Sequence, residues 1–465
     1  MPGSSARATW LYLLLFPIAG ASLWFLYSLG HDLHAPDPAP GVPRFDAQGA
    51  GPVALDTFIH VLLALAVIMI AARAIGALFR VFRQPPVMGE VIAGILLGPS
   101  ALGHVWPAAS AYLVPSHVAP VLSGLAEMGV LLYMFIVGLE LDPGVLRGRT
   151  SSTITVSHAS ILVPFVLGVS VALYTYPRYS SNDVPFMAFA LFGGVALSIT
   201  AFPVLARILS DRQLQRTEIG AIALACAAVD DVTAWCLLAL VVSVARATMS
   251  GAGITLALAV AYVAVMLIVV SPWVRRAVRW VDTKHDVSRT AMTFMFAALL
   301  ISALITSAIG IHALFGAFLL GAIIPHDSQL AARAKERLED VVLVLLLPAF
   351  FAYTGLRTEI GLVSGSGAWF TLALICAAAS AGKFGGAFAS ARLTGLSTAD
   401  SAMLGALMNT RGLMELIALN VGLDLRVLSP TLFAMMVLMS LITTLIATPV
   451  VDYLTPRASL AKARR

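Results

Sequence analysis

The sequence predicts an all-α polytopic membrane protein, with about thirteen transmembrane helices and an extra hydrophobic helix at the N-terminus. Two observations lead there. Of 465 residues, 59% are hydrophobic and only 11% charged, where a soluble globular chain carries roughly 25% charged residues. Apolar runs of about twenty residues, enough to cross a bilayer, recur along almost the whole length. No polar block is long enough to build a separate water-soluble domain, although a soluble chain of this size usually divides into two or more. The composition excludes a cytosolic enzyme, a disordered chain and a nucleic-acid binder, the last despite a net charge of +5 and a pI near 9.2. Cys226, Cys236 and Cys376 all lie inside apolar runs and are expected to be small core residues rather than a disulfide framework.

Taken in order, the N-terminal run covers 10–29 and a polar, Pro-rich stretch covers 31–52. The main series then places spans at 55–79, 86–102, 118–141, 153–174, 184–209, 219–244 and 254–270. After a basic loop come 291–310, 311–325, 341–356, 369–391, 402–421 and 429–451. The 311–325 run is short, so it tilts strongly or crosses only in part. Arg7 before the first run suggests a signal peptide. The run is long for that purpose and lacks a small-x-small cleavage site, so an uncleaved anchor is expected. The organisation is therefore 1–53, anchor (or signal) and linker; 54–453, membrane domain; 454–465, a short basic tail.

The charges in the loops test this layout. With the loop at Arg80 and Arg83 facing the cytoplasm, the inside loops and tail collect 21 of the 29 Lys and Arg residues. The outside loops hold Arg44, Arg178, Arg246, Arg357 and Arg426. That bias follows the positive-inside rule and predicts a cytoplasmic C-terminus. The span at 254–270 leaves six spans on either side, the arithmetic of an inverted repeat. The fifth span of each half carries a break. Ser198-Ile199-Thr200-Ala201-Phe202-Pro203 sets a helix-breaking proline beside hydroxyls, and Met408-Asn409-Thr410-Arg411-Gly412 sets a polar stretch and a glycine at the matching place. Paired interruptions of this kind point to a transport site.

Ionisable groups at membrane depth cost at least about 2.5 kcal/mol each, so each requires a reason. Asp230 and Asp231 lie in the middle of the 219–244 span. Adjacent helical residues point about 100° apart, so one carboxylate can face a cavity while the other finds a different partner. A proton and a metal cation compete for such oxygens. Lys383, flanked by Gly382 and Gly385, is the natural counter-charge for either aspartate. Arg411 and Glu415, at i and i+4, can pair and hold the second break together, with Glu90 and Glu140 as other candidate partners for the arginine.

These pieces resemble a known family. RQPPVMGEVIAGILLGP over 83–99 is similar to the second-helix signature of the monovalent cation:proton antiporter-2 family. FIVGLELD over 135–142 and GAFLLG over 316–321 resemble further family blocks, and 408–422 resembles the plant-type cation/H⁺ exchangers. The resemblance covers about 55–451 and implies the thirteen-helix, inverted-repeat sodium/proton antiporter fold with a dimerisation domain, hence a homodimer. It implies that Asp231 carries cation and proton, that Asp230 pairs with Lys383, and that Thr200 contributes to the cation site. A double aspartate with a lysine partner implies electrogenic exchange. Only about a dozen residues follow Asp452, so the nucleotide- and glutathione-sensing domain of the bacterial potassium efflux systems, and gating through it, are not expected.

The expected activity is secondary active exchange of Na⁺ or K⁺ for H⁺ by alternating access in the plasma membrane. The site residues are Asp231, Asp230 and Thr200, with Lys383 as charge partner. Ser198, Pro203, Asn409, Thr410, Arg411, Glu415 and Glu90 support the broken helices. No cofactor is expected, since an ion gradient supplies the energy and no Walker-type motif is present. The partners are the two ions, the bilayer and a second copy of the chain, with no nucleic acid. The alternative on the same scaffold is a gated, channel-like potassium efflux transporter, against which stands the lack of a carbonyl-filter motif such as TVGYG. A membrane-embedded enzyme is disfavoured because Asp231 is followed by Val232, Thr233 and Ala234 rather than completing DDxxD.

Overall fold

A computed structural model describes residues 3–30, 33, 55–140, 151–215, 217–246, 252–283 and 288–455. Nearly all of the expected linker, the tail from 456 onward, and Asp142 of the FIVGLELD block lie outside the described residues. Among the described residues every regular element is helical. Helix α1 (Gly3–Gly30) contains the first apolar run and packs along α7 (Ser151–Tyr179). Helices α2 (Leu55–Val81) and α3 (Pro86–Leu97) meet at Gln84-Pro85, where proline favours the start of a new helix. Two short helices, α4 (Leu102–Val105) and α5 (Pro107–Leu113), follow before α6 (Ala119–Glu140).

The first break separates α8 (Phe186–Ser198) from α9 (Phe202–Asp211), and α10 (Glu218–Arg246) carries the aspartates. Helix α11 (Ala252–Val265) runs through a π-helical turn, Met266–Val270, into α12 (Ser271–Asp282). After α13 (Arg289–Ile309) and α14 (Ala313–Ile323), α15 (Gln329–Val341) runs through a second π turn, Val342–Leu346, into α16 (Leu347–Leu356). Both π turns come just before a proline, Pro272 or Pro348, whose missing N–H removes one α-type bond and lets the turn widen. Helix α17 (Gly365–Leu393), the broken pair α18 (Thr398–Met408) and α19 (Leu413–Asp424), and α20 (Pro430–Leu454) complete the chain.

Ten described helices are long and apolar enough to cross a membrane, and the α18–α19 pair, bent by 42°, makes an eleventh. The expected thirteen is not reached by length alone. The two spans that fall short are the broken α8–α9 and the 11-residue α14, which at about 1.5 Å per residue covers only half a bilayer. The basic stretches assigned to loops are partly helical, in α12 and α15, because Ala, Arg and Lys favour helix and nothing there breaks one. Of the cysteines only Cys226 is buried; Cys236 is exposed and Cys376 intermediate. A lipid-facing position and a core position are equally apolar, so the sequence does not separate them.

The helices sort into two packed groups. One holds α7, α8, α9, α10, α17, α18, α19 and α20; the other holds α2, α3, α6, α13, α14 and α16. In the second group α6 and α14 approach backbone to backbone at Gly138 and Gly321, where a Cβ on either would collide with a carbonyl of the facing helix, Phe318 O or Phe135 O. Gly94 of α3 and Gly355 of α16 make a second close approach of the same kind. Polar contacts between the groups include one at each end. Arg357, just past α16, donates to Asp424 Oδ1 at 2.5 Å and to Asn420 Oδ1 at 3.1 Å on α19. Gln84 Nε2 donates to the Leu445 carbonyl of α20 at 3.3 Å.

Candidate ion-exchange site

The first group of helices is built around two unwound segments that touch. Residues 199–201 are extended between α8 and α9, with Ile199 at φ −68°, ψ 135° and Ala201 at φ −89°, ψ 93°. Pro203, in the first turn of α9, has no N–H to donate back into α8, so the helix cannot run through the break. Residues 409–412 separate α18 from α19 in the same way. The two segments are joined by a backbone hydrogen bond in which Ala201 N–H donates to the Thr410 carbonyl at 3.0 Å. Thr410 Oγ1 donates back to Leu407 O in the last turn of α18, and Ser198 Oγ donates to Val195 O within α8.

Arg411 is fully buried and ties the second break to the first. Its Nη1 donates to Ala196 O at 3.1 Å and its Nη2 to Leu197 O at 2.7 Å, so the guanidinium caps the last carbonyls of α8. Nη1 also reaches Glu415 Oε1 at 3.2 Å, the pairing expected from the i, i+4 spacing. The backbone of Arg411 is held from α20, where Thr444 Oγ1 accepts its N–H and donates to its carbonyl, each at 2.9 Å. The other two candidate partners lie elsewhere. Glu140 pairs with Lys335 at 2.6 Å, and Glu90 sits on α3 in the second helix group, under the influence of Arg73. A sequence shows which acids share a membrane, but not which helix group each belongs to.

Beside the crossing, α10 presents its two aspartates to different surroundings. Asp230 is completely buried and saturated with donors. Ser157 Oγ donates to its Oδ1 at 2.5 Å; Ser160 Oγ, Thr200 Oγ1 and Lys383 Nζ donate to its Oδ2 at 2.9, 2.9 and 3.0 Å. Lys383 also donates to Thr200 Oγ1. Lys383 reaches this point because α17 lies close against α7: a Cβ on Gly382 would sit 2.7 Å from Pro164 Cα, and one on Gly386 would sit 2.7 Å from Ala159 O. The structure thus pairs the lysine with Asp230, the first of the two acids.

Asp231 is different. It is 5% exposed, its Oδ1 has no hydrogen-bond partner, and it lines a small cavity with Ile199, Ala234, Leu238 and Met414. That cavity draws residues from α10 and from both broken spans. The Phe202 N–H, at the positive end of α9, lies near Asp231. Asn409, 7% exposed, likewise leaves its Oδ1 unpartnered. A buried carboxylate oxygen without a proton donor is costly unless a proton or cation completes it.

The structure therefore brings together Asp230, Asp231, Thr200 and Lys383, with Arg411, Glu415, Asn409 and Thr410 in the crossing around them. Glu90 is not among them. The sequence reading missed Ser157, Ser160 and Thr444. Small hydroxyl residues are common in membrane helices, and only the packing of α7 on α10 and of α20 on the second break gives these three their roles.

Comparison with known proteins agrees with this architecture. Residues 63–455 match the family model described as "Sodium/hydrogen exchanger, transmembrane". The chain is 44% identical over 403 residues to the Na⁺/H⁺ antiporter NhaS4 of Synechocystis sp., covering 86% of this chain and 98% of that one. It is 40% identical over 416 residues to cation/H⁺ antiporter 20 of Arabidopsis thaliana, covering 87% of this chain and 49% of the relative, so it spans about half the length of that plant protein. The fold also matches the solved structure of the sodium proton antiporter MjNhaP1 from Methanocaldococcus jannaschii, with TM-score 0.60 at 12% identity, over 85% of this chain and 96% of that one. On the family match and the extent of this similarity, the chain belongs to the sodium/hydrogen exchanger family.

Proposed function

We propose that the chain is a secondary active antiporter that exchanges a monovalent cation, Na⁺ or K⁺, for H⁺ by alternating access. The observation that carries this reading is Asp231: a buried carboxylate with a bare oxygen, facing a cavity at the crossing of two broken helices. Its neighbour Asp230 is already neutralised by Lys383. Cation and proton take turns on Asp231. Thr200 and the freed carbonyls of 199–201 supply further oxygens, as a hard alkali cation requires. When the cation arrives, Asp230 lets go of Lys383 and the freed lysine gives up its proton together with the one leaving Asp231, so two protons leave for one monovalent cation and exchange is electrogenic. An ion gradient supplies the energy, with no cofactor. Relatives named as Na⁺/H⁺, cation/H⁺ and K⁺/H⁺ antiporters support the substrate class.

The positive-inside bias supports a plasma-membrane orientation with the C-terminus in the cytoplasm, and the family resemblance supports a homodimer. The test is transport by everted vesicles or proteoliposomes under an imposed pH gradient, challenged separately with Na⁺, K⁺, Li⁺ and Rb⁺. Cation-dependent collapse of the gradient is expected for at least one of these ions and is expected to vanish in Asp231→Ala. Unchanged flux in that variant overturns the assignment. Cation conductance without H⁺ movement favours a channel instead.

A further inference from the structure

Ser157 and Ser160 stand on α7 one helical turn apart, both buried, at 0% exposure. A serine inside a membrane helix ordinarily satisfies its hydroxyl on a carbonyl of the preceding turn. Ser170, lower on the same helix, does this, donating to Val166 O at 2.8 Å. Ser157 and Ser160 behave differently. Ser157 reaches across to Asp230 Oδ1 at 2.5 Å, and Ser160 divides its proton between Ser157 O at 2.8 Å and Asp230 Oδ2 at 2.9 Å. Two hydroxyls on one face of α7 therefore converge on one carboxylate of α10, and each oxygen of that carboxylate receives one of them.

We infer that Ser157 and Ser160 are positioning residues for the exchange: they hold Asp230 turned towards α7 and α17, out of the cavity that Asp231 lines, and keep it there when Lys383 departs. This rests on the antiport reading of the same site. The other charged groups around Asp230 are Lys383 from α17, Asp231 on α10 itself, and Arg411 with Glu415 at the second break. α7 contributes hydroxyls here. With the lysine in place Asp230 has four donors, and with the lysine gone it has Ser157, Ser160 and Thr200. The serines therefore matter most in the cation-bound state, where they are two of the three donors left. Without them Asp230 retains one hydroxyl, clings to Lys383, and resists the rearrangement that admits the cation. A hydrogen bond to a charged group changes an equilibrium by about tenfold or more, so cation affinity rather than turnover bears the loss.

The experiment measures cation KM and maximal rate in proteoliposomes, with the cation that the unaltered protein transports best. Ser157→Ala/Ser160→Ala is expected to raise KM by about tenfold or more while maximal rate per molecule stays within about twofold. Ser157→Thr, which keeps the hydroxyl, is expected to restore KM, and Ser170→Ala to leave it unchanged. Should the double alanine variant fail to fold, Ser157→Cys/Ser160→Cys keeps the volume and weakens the donors, and the same rise in KM is expected. An unchanged KM in the double alanine variant, or in the double cysteine variant if only that one folds, overturns the inference. So does a fall in maximal rate at constant KM, which is the signature of damaged packing. If the unaltered protein moves no protons in response to any alkali cation, the antiport reading falls and this inference with it. If it does, and Asp231→Ala is inactive while the serine variants keep their KM, only the serine role is lost.

Discussion

Replacing Arg411 by Met tests how the two breaks are held. The guanidinium is wholly buried and serves three acceptors: Ala196 O, Leu197 O and Glu415 Oε1. Methionine approximates its length and apolar volume but donates nothing. Removing one partner of a buried ion pair costs about 3–5 kcal/mol, because the other charge is left without compensation. Each orphaned carbonyl of α8 adds about 1–3 kcal/mol. The two contributions are separable. In Arg411→Met/Glu415→Gln the stranded charge is gone, so about 3–5 kcal/mol is expected to return while the carbonyl cost remains. The assay is equilibrium unfolding of the purified protein in mixed micelles, titrated with denaturing detergent, for the two single variants and the double. The double variant is expected to be more stable than Arg411→Met. If it is equally or less stable, Glu415 does not depend on Arg411 for its charge, and the account of the pair is wrong.

Other predictions follow from particular contacts. Thr444→Val is isosteric but strands the N–H and carbonyl of Arg411, so a loss of about 1–3 kcal/mol per group is expected in the same unfolding assay. On α6, Gly138→Ala is expected to destabilise by about 1–3 kcal/mol through collision with the Phe318 carbonyl. Gly124→Ala on the same helix meets nothing within 4 Å and is expected to stabilise by about 0.5–1 kcal/mol in that assay. Asp424→Asn removes the partly exposed charge facing Arg357, so stability should change by less than about 1 kcal/mol. The pair bridges the two helix groups, so transport rate is expected to change more than stability does, and Arg357→Asp/Asp424→Arg to recover it.

Much of this was readable in the chain. The apolar runs located the spans, and Pro203 and Gly412 marked where two of them stop being helical. Asp230, Asp231, Lys383 and Arg411 were conspicuous because charge in an apolar setting demands compensation. The choice between the two aspartates was less visible from the residues alone. Their spacing says only that they face different ways, and it takes the seat of α17 against α7 to bring Lys383 to Asp230. Ser157, Ser160 and Thr444 were hidden for a related reason, since an abundant residue type carries no signal until a neighbouring helix gives its hydroxyl a target. Glu90 and Cys236 failed in the opposite direction. Each has a type that suggests a role, partner for Arg411 or core filler, that its helix group or exposed position denies.

The glycine contacts of α6 with α14, and of α3 with α16, have a mechanical consequence. Helices that meet main chain to main chain have almost no side-chain layer to slide over, so these four behave as one stiff wall. The broken helices are likewise fastened to each other by the Ala201–Thr410 hydrogen bond and by Arg411 on the end of α8. Two rigid blocks that meet through apolar packing and a few polar ties can shift past one another more cheaply than either can deform. The acidic pocket would then ride intact on the moving block, and the depth at which it meets water would be set by how far that block travels along the wall.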